Sequence, residues 1–266
     1  MNIAVAVKVV PDDQDIAVAA DRTLDYSKAH QVVSEYDLNA IEAAALLAED
    51  AGATLYAVSA SNAKADDLKV KKSILSRGPA ELCMIADDAF AFADARVTAR
   101  ALATLVRGIG EVDLVVCGDG SADMYAGQVD VQLAAELGMP VVNAVTSIKL
   151  EDGVAVVERT LPDVVEEIEV PLPAVVAVTP ECAYPRIAGM REILTAGKKP
   201  ATVTSAADAG VDVSAAVEIA SVTAPEQAAR KRQVFDMKNA ATSTRSRRRL
   251  PQPSARSRST KERHAS

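Results

Sequence analysis

The sequence contains few of the residues on which most hydrolytic and metal-dependent sites rely. It has no tryptophan, three phenylalanines and two histidines, His30 in a polar stretch and His264 near the end of the chain. The three cysteines, Cys83, Cys117 and Cys182, are scattered, and no CxxC, HExxH or Ser/His/Asp arrangement occurs. These absences favour a binding or carrier protein without catalytic residues of its own over a hydrolase.

Long apolar runs are also missing. No segment approaches the roughly 20 apolar residues that a membrane-spanning helix needs. The first 15 residues include a short apolar stretch, but they lack a basic segment before it and a small-residue cleavage site after it. Because the cysteines also look like buried thiols of a reducing compartment, we expect a cytoplasmic protein without membrane insertion.

Basic residues are scarce except at the C-terminus. Residues 236–266 carry nine Lys/Arg and two acidic residues, a net charge of +7, whereas the whole chain has a formal net charge of −8. The other residues must therefore sum to −15. A basic, Ser/Arg/Pro-rich segment without interleaved aromatics is typical of a disordered tail, and nucleic-acid binding is the less favoured interpretation.

Alanine and valine dominate what is present, in an order that alternates between strand and helix patterns. Such alternation predicts an α/β fold with a parallel twisted sheet and helices on both faces, a Rossmann-like architecture. The predicted strands cover residues 2–10, 54–60, 81–87 and 113–117, and the predicted helices cover residues 35–50, 65–77, 94–109 and 129–138.

The pattern changes after residue 140. Three β-like runs, 141–150, 153–161 and 164–170, predict an antiparallel extension of the sheet, and a further buried strand follows at 172–179. We therefore expect an α/β nucleotide-binding domain over 1–200, an extended C-terminal arm over 201–238 and a basic, disordered tail over 239–266.

The segment GDGSADMYAGQVDVQLAAELGMP, residues 118–140, connects a predicted strand to a predicted helix. It does not match a P-loop, a G-x-G-x-x-G fingerprint or a G-x-S-x-G nucleophile turn. Two interpretations stay open. The free N–H groups at the helix start bind an anion, or Asp123 simply caps the helix.

Six stretches, in order along the chain, resemble the β subunit of electron transfer flavoprotein, and within that family the Fix-type (FixA-like) branch. They are VAVKVVPDDQDIAV, SEYDLNAIEAA, LSRGPAEL, DLVVCGDGSADMYAGQV, VERTLPDVVEEIEVPLPAVVAVT and PRIAGMREILTAGKKP. The resemblance covers residues 1 to about 232. The Fix-type branch is associated with anaerobic carnitine metabolism or with electron supply for nitrogen fixation.

The resemblance implies a heterodimer with a FixB-like α subunit that holds the redox FAD. The β subunit holds AMP or a second FAD, and electrons pass from a donor to an acyl-CoA-type or quinone-linked dehydrogenase. The loop YAGQVDVQ has the Gln-Val of FAD-binding members but lacks the Gly-Pro of typical bifurcating members, so both ligands stay open. Family members also end in a helix that clasps the α subunit, and residues 239–266 cannot supply its apolar face.

The resemblance also implies a set of nucleotide-binding residues. They lie at predicted strand ends and helix starts, with Tyr36 beside the adenine and the start of the last helix facing the phosphate. The set comprises Ala6, Ser34, Glu35, Tyr36, Asp37, Ala60, Asp123, Met124, Tyr125, Ala126, Gly127, Gln128, Val129, Asp130, Val131, Gln132, Leu133 and Ala134.

A second set of residues is implied for partner recognition. It comprises Pro185, Arg186, Met190, Ile193 and Glu166. Met190 stands where the family carries an apolar anchor for the dehydrogenase, although ordinary core packing is the alternative. Glu166 matches an acid that orients the flavin domain of the α subunit, and the adjacent acid at position 167 leaves the register open.

Two other functions fit the same fold class. A nucleotide-binding regulatory or stress-type module would bind ATP, but the glycine spacing expected for it does not follow residue 118. An adenylating or hydrolytic enzyme would need a P-loop-like signature, which the sequence lacks.

Overall fold

A computed structural model describes residues 1–226, and it places nine of their strands in one sheet. Two further pairs of short strands lie outside that sheet. In chain order the strands are β1 Asn2–Ala6, β2 Val9–Pro11, β3 Ala17–Val18, β4 Leu24–Asp25, β5 Gln31–Val33, β6 Thr54–Ser61, β7 Glu81–Ala86, β8 Leu114–Gly118, β9 Val141–Glu151, β10 Val154–Thr160, β11 Val165–Pro171, β12 Ala174–Val178 and β13 Ala201–Thr204.

The strand order in the sheet is β11-β10-β9-β12-β8-β1-β6-β7-β13. All neighbours from β9 through β12 to β13 are parallel, whereas β9, β10 and β11 form an antiparallel meander. The predicted α/β fold with a parallel sheet and an antiparallel extension is therefore confirmed. β12 lies between β8 and β9, so it joins the meander to the parallel part of the sheet.

Five α-helices accompany the strands within the described residues. They are α1 Glu35–Ala51, α2 Leu68–Leu75, α3 Ala95–Ile109, α4 Val129–Leu137 and α5 Met190–Ala196. None of them is long and apolar enough to cross a bilayer.

The helices cover both faces of the sheet, and the alternation of side chains along β1 shows how. Ile3 and Val5 point to the face packed by α1 and α2, while Ala4 and Ala6 point to the face packed by α3 and α4. Strands buried on both faces need continuous apolar runs, which explains the Val- and Ala-rich composition.

Helix boundaries follow local capping chemistry. Asp67 accepts hydrogen bonds from the backbone N–H groups of Lys69 and Val70, so α2 begins at Leu68, three residues after its predicted start at 65. Gly52, two residues after the predicted helix 35–50, ends α1 in the left-handed conformation that glycine favours.

The first predicted strand, 2–10, is in fact two strands. β1 ends at Ala6, and the backbone N–H of Lys8 donates to the Asp37 carboxylate (2.7 Å) instead of to a neighbouring strand. Val9–Pro11 then pairs with β5 in a separate two-stranded sheet. The apolar pattern of residues 2–10 cannot show this division, because it depends on the hydrogen bond between Lys8 and Asp37, which is distant in sequence.

The predicted C-terminal arm begins as part of the sheet. Residues 201–204 pair in parallel with β7 as its edge strand, and the compact unit extends to Ala224. A four-residue strand is too short to show a period in the sequence. The predicted tail, 239–266, and residues 227–238 of the predicted arm lie outside the described residues.

Candidate functional site

The candidate site lies where the direction of the strand order reverses. From β1 the chain moves by α1 to β6 on one side, and it later returns by α3 to β8 on the other side of β1. Because α1 and α3 cover opposite faces, the carboxyl ends of β1 and β8 border a crevice. This position is where open α/β sheets bind their ligands.

A cavity of about 310 Å³ occupies this crevice. Small-molecule sites typically measure ≈ 300–1,000 Å³, so the cavity can enclose one mononucleotide-sized ligand. Its apolar wall is made of small and aliphatic residues from strand ends and helices, namely Ala6, Val7, Ala60, Leu102 and Val129.

Asp37 contacts both the residues that follow β1 and the end of β8. It lies in the first turn of α1, is 5% exposed and accepts a hydrogen bond from the backbone N–H of Lys8 (2.7 Å). Burial raises the pKa of Asp37 to about 7, although backbone hydrogen bonds and the charge of Lys8 oppose that shift. A Cβ on Gly118 would lie 2.8 Å from Asp37 Oδ1, so the end of β8 must be a glycine for this approach.

Lys8 supplies the cation of the cavity wall. Its Nζ lies 2.7 Å from Asp123 Oδ1 and 3.4 Å from Ser121 Oγ, and Ser121 Oγ donates to the same carboxylate oxygen at 2.6 Å. Burial alone would raise the pKa of Asp123, but the charge of Lys8 and these hydrogen bonds hold it below its usual value. Asp123 therefore ties the loop before α4 to β1 and does not cap that helix.

The loop between β8 and α4 has a strained, compact conformation. Tyr125 has a φ of 44° and Gly127 a φ of 59°. The Tyr125 ring lies over Gly120, where a Cβ would approach a ring carbon to 2.1 Å, and its centroid is 5.2 Å from that of Tyr36. Ser34 Oγ accepts a hydrogen bond from the N–H of Ala122 at 3.3 Å, which fixes the loop to the start of α1.

Three further carboxylates face the cavity. Burial raises the pKa of Asp119 and of Asp130, and Asp94 lies at the start of α3. Asp119 Oδ1 is buried and has no hydrogen-bond partner among residues 1–226. A buried acceptor without a donor is costly, so this oxygen suits a ligand that brings a hydroxyl or amine hydrogen.

These groups fit an adenine nucleotide. The small apolar residues offer a surface for a purine, and the Asp119 carboxylate can accept from ribose hydroxyls or from an amine. Lys8 and the N-terminal N–H groups of α4 are the donors that a phosphate needs.

The structure brings half of the predicted nucleotide residues to the cavity wall. These are Ala6, Asp37, Ala60, Met124, Ala126, Gly127, Gln128, Val129 and Asp130. The others lie behind the wall or beside it. Ser34, Asp123 and Tyr125 form hydrogen bonds that hold the loop between β8 and α4, and Tyr36 packs against Tyr125. Glu35 and Val131 are exposed, and Gln132 Nε2 donates to Gln128. Leu133 and Ala134 lie on the face of α4 that is buried in the core.

The cavity also contains residues that the sequence patterns did not identify. They follow β1 and β8, or they lie at the start of α3 and in the C-terminal arm, and they include Lys8, Asp119, Asp94, Thr98, Val217 and Ile219. Lys8 lies inside the predicted strand 2–10, so the sequence did not show that it follows the carboxyl end of β1, where open α/β sheets bind their ligands. Nothing in the local sequence marks Val217 or Ile219, which lie about 100 residues after the loop that they face.

The predicted partner-recognition residues have two different environments. Met190, at the start of α5, is 73% exposed, which excludes ordinary core packing. Nearby apolar side chains outside the predicted set are exposed as well, namely Tyr184, Ile187 and Leu194. Ile193 is 37% exposed.

Arg186, in contrast, is engaged within the chain. Its Nε and backbone N–H donate to Glu42 Oε2 (2.8 and 3.0 Å), and its guanidinium also donates to Glu49 Oε1 (2.6 Å). These bonds raise the pKa of Arg186 above its usual value and attach the segment that begins at Pro185 to α1. On β11, Glu166 pairs with Arg159 (3.0 Å) and Glu167 is exposed.

A family model for the electron transfer flavoprotein domain matches residues 22–209. The match covers more than two thirds of the 266 residues and includes α1, α3 and α4, together with the whole loop from 118 to 128.

Proposed function

The chain belongs to the electron transfer flavoprotein family, whose members are flavin-associated electron carriers, and on this premise we propose that it is the β subunit of a heterodimer. One observation carries the proposal. In a chain of this family, a nucleotide-sized cavity lies at the carboxyl ends of β1 and β8, and its wall includes Lys8, Asp119 and the first residues of α4.

In the proposed role the cavity holds AMP or a second FAD. The adenine lies against Ala6, Ala60 and Leu102, and Asp119 accepts hydrogen bonds from the ligand. Lys8 and the start of α4 bind the phosphate. A volume of about 310 Å³ is at the lower end for ligand sites, which favours AMP over the larger FAD.

The proposed partner is a FixB-like α subunit, whose FAD supplies the redox chemistry. This chain then acts as an electron carrier subunit without catalytic residues of its own, in the cytoplasm. The exposed apolar side chains of Ile187, Met190 and Leu194 support docking to an acyl-CoA-type or quinone-linked dehydrogenase. A place in anaerobic carnitine metabolism follows from the resemblance to the Fix-type branch, and Glu166 is the proposed orienting acid.

The test is the cofactor content of the purified complex. The full chain is co-expressed with an α subunit, purified through a tag on one subunit and denatured, and the released nucleotides are separated and quantified. We expect co-elution, one FAD and one AMP for each heterodimer, and flavin that is reduced by a donor dehydrogenase.

Two FAD molecules for each heterodimer would show that the second ligand is FAD. A chain that does not co-elute with the α subunit, or a complex without reducible flavin, would contradict the proposed function. Tight binding of ATP with neither AMP nor FAD would instead support the regulatory or stress-type module.

A further inference from the structure

The C-terminal arm passes along the cavity after it leaves the sheet. Beyond β13, the backbone N–H of Ala206 donates to Asp87 Oδ2 (3.0 Å), and Val217 and Ile219 then form part of the cavity wall. The arm is fixed again further on, where Thr223 pairs with Thr23 and the N–H of Ala224 donates to the carbonyl of Arg22 (2.9 Å). We call residues 212–219 the clasp segment.

A single carboxylate joins the clasp segment to the cavity. Asp94 Oδ1 accepts a hydrogen bond from the N–H of Val97 (2.8 Å) and thereby caps α3. Asp94 Oδ2 accepts from the N–H groups of Ala216 (2.6 Å) and Val217 (3.0 Å). The two oxygens of one side chain therefore have separate tasks, and hydrogen bonds to a charged acceptor are stronger than neutral ones.

The ionic state of Asp94 is consistent with this attachment. Burial acts to raise its pKa, but the backbone donors of Val97, Val217 and Ala216 together hold the pKa below its usual value. The side chains of Val213 and Val217 are 42% and 66% exposed, so apolar packing holds these two residues only weakly. Arg100 pairs with Asp212 at the start of the segment (2.9 Å).

We propose that Asp94 is a positioning residue that holds the clasp segment as a removable wall of the nucleotide cavity, so that ligand release requires this wall to detach. The proposal rests on the proposed nucleotide function for the identity of the ligand. Its physical basis is that Val217 and Ile219 line the cavity and would contact the ligand, while Asp94 Oδ2 holds the backbone of Ala216 and Val217.

Asp94→Asn separates the two tasks of the side chain. An asparagine oxygen can still cap α3, but its amide group would face the Ala216 and Val217 N–H groups with a donor instead of an acceptor. The matched control is Asp67→Asn, which makes the same change at the N-cap of α2 (2.7 Å to Lys69 N), away from the arm.

The measurement is the dissociation rate of AMP, with FAD in parallel, from the full-length chain. A fluorescent AMP analogue is displaced by excess AMP in a stopped-flow instrument. We expect Asp94→Asn to increase the rate about tenfold or more, because two charge-assisted hydrogen bonds are lost. Asp67→Asn should leave the rate at the wild-type value, and both variants should have similar melting temperatures.

A second measurement is independent of the capping role. Glu218 lies in the clasp segment and offers a cleavage site to a glutamate-specific protease. AMP should slow cleavage after Glu218 in the wild-type chain and should do so much less in Asp94→Asn. Val217→Ala should also speed AMP release, whereas Val213→Ala, which removes an exposed side chain outside the cavity wall, should not.

The outcomes distinguish this inference from the proposed function. A wild-type chain that binds neither AMP nor FAD contradicts both. The clasp alone is contradicted if the wild-type chain binds AMP, but Asp94→Asn and Val217→Ala release AMP at the wild-type rate. In that case AMP would also fail to slow cleavage after Glu218.

Discussion

Asp37 shows most clearly how a single residue at the site is controlled by its surroundings. It is buried at the start of α1, and burial raises the pKa of its carboxyl group to about 7. The folded chain therefore holds a proton on Asp37 at pH values where the unfolded chain has lost it. The stability that results is complete below about pH 4 and is lost as the pH rises through about 7.

Asp37→Asn should remove this dependence. The free energy of unfolding of the wild-type chain should fall by a few kcal/mol, on the order of 4, between about pH 4 and pH 7 because of Asp37. In Asp37→Asn the free energy of unfolding should lack this fall between the two pH values. Urea unfolding of the nucleotide-free full chain at several pH values measures the difference between the two curves.

Asp113→Asn is the matched control for the loss of a backbone hydrogen bond, because Asp113 Oδ2 accepts from the N–H of Asn2 (2.7 Å) at the opposite end of β1. Parallel curves for the wild-type chain and Asp37→Asn would show that Asp37 is ionised in the folded state throughout this range.

At the scale of elements, the connection from β8 to α4 defines the site. Gly118 ends the strand at a point where α1 approaches so closely that a Cβ would lie 2.8 Å from Asp37 Oδ1 and 3.1 Å from the Cβ of Tyr36. Position 118 requires glycine because there is no space for a Cβ. Position 127, further along the loop, favours glycine for a different reason, which is its positive φ. Asp37 and Gly118 also line the cavity, so a change in packing at this contact also changes the cavity wall.

Gly118→Ala should therefore lower stability by about 1–3 kcal/mol, because overpacking forces α1 and β8 apart. It should also weaken AMP binding. Gly108→Ala is the matched control, since Gly108 lies in α3 and a Cβ there would meet nothing within 4 Å. The control should be neutral or raise stability by about 0.5–1 kcal/mol. Urea unfolding and AMP titration measure both variants, and equal effects would contradict the space argument.

Most elements could be predicted from the sequence because their signals are local. α1, α3 and α4 begin and end within a residue or two of their predicted bounds, with Asp94 and Gly138 as cap signals. The exceptions are short or depend on distant partners. β13 exists because β7 offers an open edge, and the separation of β2 from β1 depends on the bond between Lys8 and Asp37.

At the scale of the whole molecule, Arg186 joins parts of the chain that are far apart in sequence. It lies in the segment after β12 and pairs with Glu42 and Glu49 on α1, 144 and 137 residues earlier. The Glu42 side chain is 8% exposed, and Arg186 supplies its hydrogen-bonded ion pair, while Arg77 adds a second positive charge nearby. The exposed apolar residues that follow Arg186 are thereby held in place on the body of the molecule.

Arg186→Ala should lower the free energy of unfolding by about 2–3 kcal/mol, because it leaves a buried carboxylate unpaired. Glu42→Gln in the same chain should recover part of that loss, and a double-mutant cycle gives the coupling energy. Arg191→Ala, at an exposed residue for which residues 1–226 provide no ion pair, should change stability by less than about 0.5 kcal/mol. Equal losses in the two arginine variants would contradict the assignment.

The sequence by itself determined most of the helices and strands, the parallel sheet with its antiparallel extension, and the family. These follow from periodicity, turn residues and short motifs, which act over a few residues. Only the tertiary structure decided which side chains meet. Lys8 contacts Asp123, Asp94 holds Ala216 and Val217, and Arg186 reaches Glu42, each across more than 100 residues. Such contacts depend on how strands align and helices pack, so no local pattern contains them.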